Sequence, residues 1–261
     1  PKEKLPTIHE GALGACDAND GAKDGVIENP LACRFDPAVL ACAGADQTSC
    51  LTAPQVEAVR RVYAGASNPR TGEKIFPGLE RGSELGWSPV PVGYAVDYFK
   101  HIVFKDLTWD PKTLNFDSHL AEAYPAAHQV FEANDPRIGP FVGRGSKLIM
   151  YQGWAEAGIP PGHVVTYYGN VLAQTQGARD AVRLFMVPGM GHCGGGNGTS
   201  TFDMVAALDA WVASGRAPEQ IPASRVREGK IDRTRPLCAW PKTASYTGSG
   251  SLDDASSFVC K

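Results

Sequence analysis

The clearest pattern in the chain is a pair of short apolar runs, each followed by a loop of small residues. The first run is Lys147–Tyr151 and the second is Arg183–Val187. Runs of this length that are bounded by Gly and Pro predict buried β-strands. The loop after the first run carries one acid, Glu156, and the loop after the second carries His192. Sites in open α/β sheets form at the carboxyl ends of the strands, so these two loops are the candidate site.

Helical patterns follow both strands. A helix is predicted over 164–176, and a second helix is predicted over 201–214, where Gly215 suits its end. A strand, a loop with His192 and a helix, in this order, are typical of the last βα unit of an α/β core. The apolar positions predicted to share one face of the second helix are Phe202, Val205, Leu208, Trp211 and Val212.

The first half of the chain has weaker periodicity. We expect residues 1–15 to be an irregular lead-in. Thr52 with Gln55 three residues later predicts a capping box, and the helix that it starts should end at Gly65. The remaining segments are predicted to be a cysteine-closed loop over 33–50, a lid or substrate loop over 66–91, and mainly helical stretches over 92–104 and 116–134 with Pro125 interrupting the second.

Two domains are expected, with a boundary near residues 139–146. Residues 1–142 are predicted to be a lid domain and residues 143–261 the C-terminal part of the core. The net charge of −3 and the scattered basic residues give no support to nucleic acid or an anionic membrane surface as a partner. No apolar run approaches the roughly 20 residues that span a bilayer, so no membrane partner is expected.

The chain has seven cysteines. Their spacing suggests three local pairs and leaves Cys193 over, which then needs a partner elsewhere or stays free. Paired spacings favour an oxidising compartment, so we expect a secreted or periplasmic protein; the alternative is a cytosolic protein with unrelated thiols. The three pairs are Cys16–Cys33, Cys42–Cys50 and Cys238–Cys260.

An acidic loop near the N-terminus contains Asp17, Asp20 and Asp24, with glycines at 21 and 25. Carboxylates this close repel each other unless a cation or solvent screens them. Calcium takes oxygen ligands from flexible loops, although the spacing is not that of an EF-hand. The alternative is a surface loop of Asx-turns without a metal.

The order of the acid and the histidine agrees with the end of a Ser…Asp/Glu…His triad. The acid orients the imidazole, and the imidazole takes the proton of the nucleophile. No serine in the chain has glycine two residues before and two residues after it, as a nucleophile elbow requires. The chain begins at Pro1, which is neither a start methionine nor part of a signal peptide. We therefore expect the nucleophile on a missing upstream part of the same polypeptide.

Three segments resemble the tannase and feruloyl esterase family, which includes mono(hydroxyethyl) terephthalate hydrolase-like enzymes. They are CDANDGAKDGVI (16–27), YQGWAEAGIPP (151–161) and PGMGHCGGG (188–196). The resemblance implies an α/β fold: the C-terminal part of an α/β-hydrolase fold with an inserted, calcium-binding lid domain. It also implies a secreted serine-type carboxylic ester hydrolase that acts on small esters of feruloyl, galloyl or terephthaloyl type, with the serine and the oxyanion hole upstream of this chain.

The resemblance assigns roles to residues. His192 and Glu156 become the catalytic base and its orienting acid, although the family usually has Asp where this chain has Glu156. Cys193 is expected to bridge to a cysteine beside the upstream serine. The predicted ligands of a structural Ca²⁺ are Asp17, Asp20, Asp24 and the backbone carbonyls of Ala22 and Val26.

Trp87 and Ile159 are the candidate substrate-binding residues. Trp87 could stack on an aromatic acyl group, but such a tryptophan more often packs in a core. Histidines of the first half, including His9, are predicted to be structural or surface residues. Two other functions stay open: a noncatalytic, calcium-stabilised secreted binding domain, and, less favoured, a metallohydrolase that uses the Asp cluster.

Overall fold

The structure is a computed structural model that describes residues 1–88, 93–128 and 130–261. The predicted loop over 66–91 and the predicted helix over 92–104 meet at 89–92, outside the described residues. The helices are α1 Leu5–Cys16, α2 Ala53–Ala64, α3 Gly93–Asp97, α4 Ser118–His128, α5 Gly139–Gly143, α6 Gly162–Gln174 and α7 Met204–Ser214. The strands are β1 Ala66–Ser67, β2 Lys74–Phe76, β3 Leu148–Gly153, β4 Val182–Val187, β5 Thr201–Phe202, β6 Gln220–Arg227, β7 Lys230–Cys238, β8 Ala244–Tyr246 and β9 Phe258–Cys260.

A parallel pair of strands positions the site. β3 and β4 pair in parallel with Leu148 opposite Val182 and Gly153 opposite Val187, and α6 connects them. β4 is almost wholly buried, and Val171 of α6 packs with Leu184 in one core cluster. The predicted strands at 147–151 and 183–187 and the helix at 164–176 are thus confirmed. Among the described residues, β3 has no strand on its other edge.

The C-terminal segment covers the other edge of β4. Phe185 forms an antiparallel bridge with Ala239, and the Trp240 N–H donates to the Leu184 carbonyl at 2.8 Å. The Trp240 ring packs edge-on against Trp154 with centroids 5.7 Å apart, directly after β3. Beyond this point β5, β6 and β7 form an antiparallel sheet, and β8 pairs with β9.

The expected irregular lead-in at 1–15 is wrong, because α1 runs through most of it. Ile8, Ala12 and Cys16 are spaced four residues apart, so they lie on one face, and all three are buried. Pro6 sits in the first turn, where its missing N–H costs no helix bond. This face packs against Phe35 and Val56 in the main core cluster of the first half.

The later helices differ from the prediction at their ends. Both hydrogen bonds of the Thr52–Gln55 capping box are present at the start of α2. In 93–104, α3 continues as a π-helix over Tyr98–Val103. Of the predicted helical stretch over 116–134, residue 129 lies outside the described residues, and α4 contains Pro125 without ending there.

The predicted second helix at 201–214 begins only at Met204, because the Asp203 carboxylate caps it by accepting from the Ala206 N–H at 2.8 Å. The residues predicted to share the apolar face differ in burial. Trp211 is buried, whereas Val205 and Val212 are exposed.

Three disulfides close the three predicted local pairs. Cys16–Cys33 ties α1 to the following loop, Cys42–Cys50 closes the loop before α2, and Cys238–Cys260 joins β7 to β9. Cys193 is a free and exposed thiol. None of the helices in the described part of the chain combines the length and apolar character needed to cross a bilayer.

Candidate active site

The loop after β3 holds Glu156 in a buried position. Its side chain is 3% exposed. One carboxylate oxygen, Oε1, accepts from the backbone N–H groups of Gly158 at 2.5 Å and Ile159 at 3.2 Å. The tight turn at 156–159 therefore fixes the carboxylate and leaves Oε2 for another partner.

The loop after β4 approaches the loop after β3 very closely. The Trp154 N–H donates to the Val187 carbonyl and the Ala155 N–H to the Met190 carbonyl, each at 2.9 Å. A Cβ at Gly153 would lie 2.2 Å from the Met190 carbonyl oxygen, so only glycine allows this approach. Gly196 has a φ of +82°, and a Cβ at this position would lie 2.0 Å from the Gly189 carbonyl oxygen. Gly153 at the end of β3 and Gly196 in the loop after β4 thus allow the two loops to approach each other.

Glu156 and His192 meet at this point. The Nδ1–H of His192 donates to Glu156 Oε2, although 36 residues separate the two in sequence. The His192 side chain is 66% exposed, and Nε2 has no hydrogen-bond partner among the described residues. The predicted pairing of these two residues is therefore present in the structure.

The electrostatics of the pair favour an ionised acid. Burial alone would raise the pKa of Glu156, but the hydrogen bonds from Gly158, His192 and Ile159 together outweigh it and lower the pKa below its usual value. An ionised carboxylate on Nδ1 fixes the ring tautomer and leaves Nε2 to accept a proton. The pair can therefore serve as a general base with its orienting acid.

No described Ser or Cys side chain is hydrogen-bonded to His192. Cys193 follows it directly, with a left-handed φ of 57° and its thiol exposed. The disulfide predicted for Cys193 has no partner among the described cysteines, since the other six are paired with each other. The bridge to an upstream cysteine stays a prediction.

The two predicted substrate-binding residues differ in placement. Ile159 is 45% exposed beside the acid, as a contact residue would be. Trp87 instead belongs to the core of the first half: it packs edge-on against Tyr63 at 5.3 Å, and its indole N–H donates to Ser83 Oγ at 2.9 Å. This burial supports the packing alternative for Trp87.

The acidic loop is organised by internal hydrogen bonds. Asp17 accepts from the backbone N–H groups of Asp24, Gly25 and Val26 at 3.0–3.3 Å. Asp24 is paired with Arg235 and Arg233 of β7. These arginines lie more than 200 residues away, and no sequence pattern indicated them.

Whether this loop suits calcium depends on its remaining oxygens. In the described part of the chain, no three His, Cys, Asp or Glu side chains are grouped to hold a metal ion. The carbonyls of Ala22 and Val26 nevertheless lie in buried residues and accept no hydrogen bond from the described residues. Burial raises the pKa of Asp20 to about 6; its Oδ1 accepts from the Ala22 N–H at 3.0 Å, and no described cation pairs with the carboxylate. Backbone carbonyls without a donor and a carboxylate without a paired cation are oxygen ligands of the type that calcium takes, so these groups fit the ion in chemistry.

A buried glutamate that holds a histidine at the carboxyl ends of adjacent parallel strands has the same arrangement as the acid and base of a Ser…Asp/Glu…His triad. The comparisons with known proteins agree with this class. The family described as "Tannase and feruloyl esterase" matches residues 1–261. The chain therefore belongs to the tannase and feruloyl esterase family.

Individual relatives are similar over nearly the whole chain. An uncharacterized esterase of Xanthomonas campestris pv. campestris is 39% identical over 98% of this chain and 54% of its own length. A mono(2-hydroxyethyl) terephthalate hydrolase of Piscinibacter sakaiensis is 32% identical over 98% of this chain and 51% of its own length. The chain thus spans about half the length of these curated relatives.

Solved structures show the same fold. Feruloyl esterase B from Aspergillus oryzae superimposes with a TM-score of 0.91 at 27% identity, covering 100% of this chain and 57% of that one. The tannin acyl hydrolase from Aspergillus niger has a TM-score of 0.81 at 21% identity. These likenesses confirm an α/β-hydrolase-like fold.

Proposed function

We propose that this chain supplies the acid and the histidine of a serine-type carboxylic ester hydrolase. The observation that carries the proposal is the contact between buried Glu156 and exposed His192 at the ends of β3 and β4. The proposed substrates are esters of aromatic acids, of the feruloyl, galloyl or terephthaloyl type. The nucleophile would be a serine on the preceding part of the full polypeptide.

The proposed reaction follows from the geometry. His192 Nε2 would take the proton of the serine hydroxyl while the serine oxygen attacks the ester carbonyl, and Glu156 would stabilise the resulting imidazolium. The same imidazolium would then protonate the leaving alcohol, which leaves an acyl-enzyme. Water, deprotonated by His192, would cleave the acyl-enzyme and release the acid and the free serine.

The test uses the full polypeptide as its gene encodes it. A fluorophosphonate probe should label one serine, and His192→Ala should abolish both the labelling and the hydrolysis of methyl ferulate or mono(2-hydroxyethyl) terephthalate. His101→Ala, which alters an exposed imidazole elsewhere, is the matched control and should keep both. Unchanged turnover in His192→Ala would refute the assignment. Absence of labelling and turnover in the parent protein would favour the noncatalytic binding domain instead.

A structural calcium is part of the proposal. Asp17, Asp20, Asp24 and the carbonyls of Ala22 and Val26 would hold it, and the ion would stabilise the loop without a part in catalysis. Support comes from the two unpartnered carbonyls and from the half-buried Asp20 carboxylate. A chelator should lower the unfolding temperature, and Ca²⁺ should restore it while Mg²⁺ does not. An unfolding temperature that is indifferent to chelator and to added Ca²⁺ would reject the site.

We also propose that the protein acts in a secreted or periplasmic compartment. The support is the three disulfides, which persist in oxidising surroundings. Fractionation of the native cells, followed by thiol labelling of the protein in each fraction, tests this directly.

A further inference from the structure

The loop that carries His192, over 188–198, has few hydrogen bonds of its own. Its base is closed, because the Gly198 N–H donates to the Gly189 carbonyl at 3.3 Å. Within 191–197, however, no backbone group is hydrogen-bonded to another backbone group of the described residues. This part of the loop is rich in glycine, which adds backbone freedom that folding has to remove. Its position therefore depends on contacts with side chains.

Side-chain hydrogen bonds hold this part of the loop at two places. At the first, His192 donates to Glu156. At the second, Arg225 of β6 donates through Nη1 to the Asn197 carbonyl at 2.9 Å, and the more exposed Arg227 donates to Asn197 Oδ1 at 3.2 Å. No further hydrogen bond reaches 191–197 from the described part of the chain. Arg225 therefore fixes the outgoing limb of the loop whose tip presents the imidazole.

Arg225 is itself fixed by Asp232 of β7. Its Nε and Nη2 donate to the two carboxylate oxygens at 2.8 and 2.9 Å, a bidentate geometry that sets the plane of the guanidinium. The hydrogen bonds from Arg225 hold the pKa of Asp232 below its usual value, so the carboxylate is ionised at neutral pH. The Arg225 side chain is only 12% exposed. The remaining nitrogen, Nη1, is thereby aimed at the Asn197 carbonyl.

A β-bulge in the β6–β7 hairpin places Asp232 for this contact. Arg225 lies opposite Arg233 in the ladder. The next pair is Val226 with Ile231, which leaves Asp232 as an extra residue in β7. In an unbroken register Asp232 would face the other side of the sheet from Arg225, because side chains alternate along a strand. The bulge interrupts this alternation and turns the carboxylate toward Arg225, as bulges beside active sites often do.

We propose that Arg225 is a positioning residue for His192: by holding the Asn197 carbonyl from the β6–β7 hairpin, it keeps the loop where Nδ1 of the imidazole meets Glu156. The inference rests on the proposed function, in which His192 is the base. Asp232 acts through Arg225. Without Arg225 the loop would populate positions in which Nε2 is not presented to the serine, so a smaller fraction of the enzyme would be competent, while substrate binding elsewhere would not change.

The first test separates kcat from KM for hydrolysis of methyl ferulate by the full polypeptide. Arg225→Met keeps an apolar stem but removes every donor. It should lower kcat about ten- to hundredfold, as expected for one lost hydrogen bond from a charged group, with KM nearly unchanged. Arg225→Lys should recover part of this loss, because an ammonium can donate to the carbonyl but lacks the planar fork for Asp232. Arg61→Met, which removes an exposed guanidinium from α2, is the matched control and should keep both constants.

A double-mutant cycle distinguishes positioning from a general loss of stability. If Arg225 acts through the contact between His192 and Glu156, adding Arg225→Met to Glu156→Gln should lower the residual kcat by less than about threefold. Asp232→Asn should likewise add little to Arg225→Met, since both changes act on one contact. All rates are compared well below the unfolding temperature of each variant, so that differences in stability do not enter.

Hydrogen exchange gives a readout that does not depend on turnover. Amides of 188–198 should exchange faster in Arg225→Met than in the parent or in Arg61→Met, while the amides of α6 keep their rates. A kcat within about threefold of the parent, a loss carried by KM, a fully additive cycle, or unchanged exchange in 188–198 would overturn the assignment. If His192→Ala stays active, the proposed function fails, whereas faster exchange confined to 188–198 would still establish that Arg225 fixes this loop.

Discussion

Replacing Glu156 by Gln is the sharpest perturbation of the site. The parent carboxylate uses Oε1 for two backbone donors, Gly158 and Ile159, and Oε2 for His192. A glutamine can keep its oxygen on the backbone donors only if its NH₂ faces His192 Nδ1. That arrangement forces the ring into the tautomer with a proton on Nε2, which then cannot accept a proton from a nucleophile.

The size of the effect follows from this reversal. The loss of both the correct tautomer and the stabilising charge should lower kcat by about 10³- to 10⁴-fold, which corresponds to about 4–5.5 kcal/mol of transition-state stabilisation. The assay is hydrolysis of an aromatic ester by the full polypeptide near neutral pH, with unfolding measured in parallel to show that the fold persists. Glu156→Asp is the matched control, because it keeps the carboxylate and should retain more activity than Glu156→Gln. If Glu156→Gln stays within about threefold of the parent, a difference below 1 kcal/mol, the inferred role of the acid is refuted.

Three further predictions concern stability. Folding lowers the pKa of Glu156, so the stability that its charge contributes is present above the unfolded pKa of about 4.3 and is lost as pH falls through the lower folded pKa. The difference in unfolding free energy between the parent and Glu156→Gln should therefore become smaller in acid. A difference that becomes larger in acid would contradict this prediction. Gly153→Ala places a Cβ 2.2 Å from the Met190 carbonyl oxygen and should lower both activity and the unfolding free energy, the latter by about 1–3 kcal/mol. Gly169→Ala is the control, because no atom lies within 4 Å of a Cβ there. Equal denaturant midpoints for the two variants would disprove the contact. Removing the Cys16–Cys33 disulfide by a double alanine substitution should cost about 3 kcal/mol, since the bridge closes a loop of 17 residues, and an unchanged thermal midpoint would show that the bridge is not stabilising.

The sequence predicted the elements of the second half of the chain better than those of the first half. Lys147–Tyr151 and Arg183–Val187 are dense apolar runs that end at glycine or proline, and their pairing brings Glu156 to His192 as expected. α1 was not predicted because its apolar positions are few and include alanine and a cysteine, which are weak helix signals in the sequence. In the structure, the Cys16–Cys33 disulfide and Phe35 complete its buried face. Local pattern could not show which face of a short helix a distant loop would cover.

Contacts across long sequence distances were the main omission. His9 and Glu84 are 75 residues apart, and nothing near either residue indicates a partner. Asp24 and Arg235 are 211 residues apart, so the sequence could not indicate the ion pair between them. Val205 and Val212 were predicted to share the apolar face of α7, but periodicity does not show whether a neighbouring layer covers that face, and both side chains are exposed.

In the described part of the chain, one edge of β3 has no strand beside it, and this has a practical consequence when these 261 residues are produced by themselves. A strand edge with free N–H and C=O groups can pair with strands of other chains, and the half-exposed side chain of Tyr151 in β3 favours this association. The isolated chain should therefore be prone to aggregation. A strand that pairs with this edge in parallel would also place its following loop at the carboxyl ends of β3 and β4, beside His192, because parallel strands end at the same side of a sheet. Coexpression with a segment that supplies such a strand should then improve solubility and assemble the reactive centre in one step.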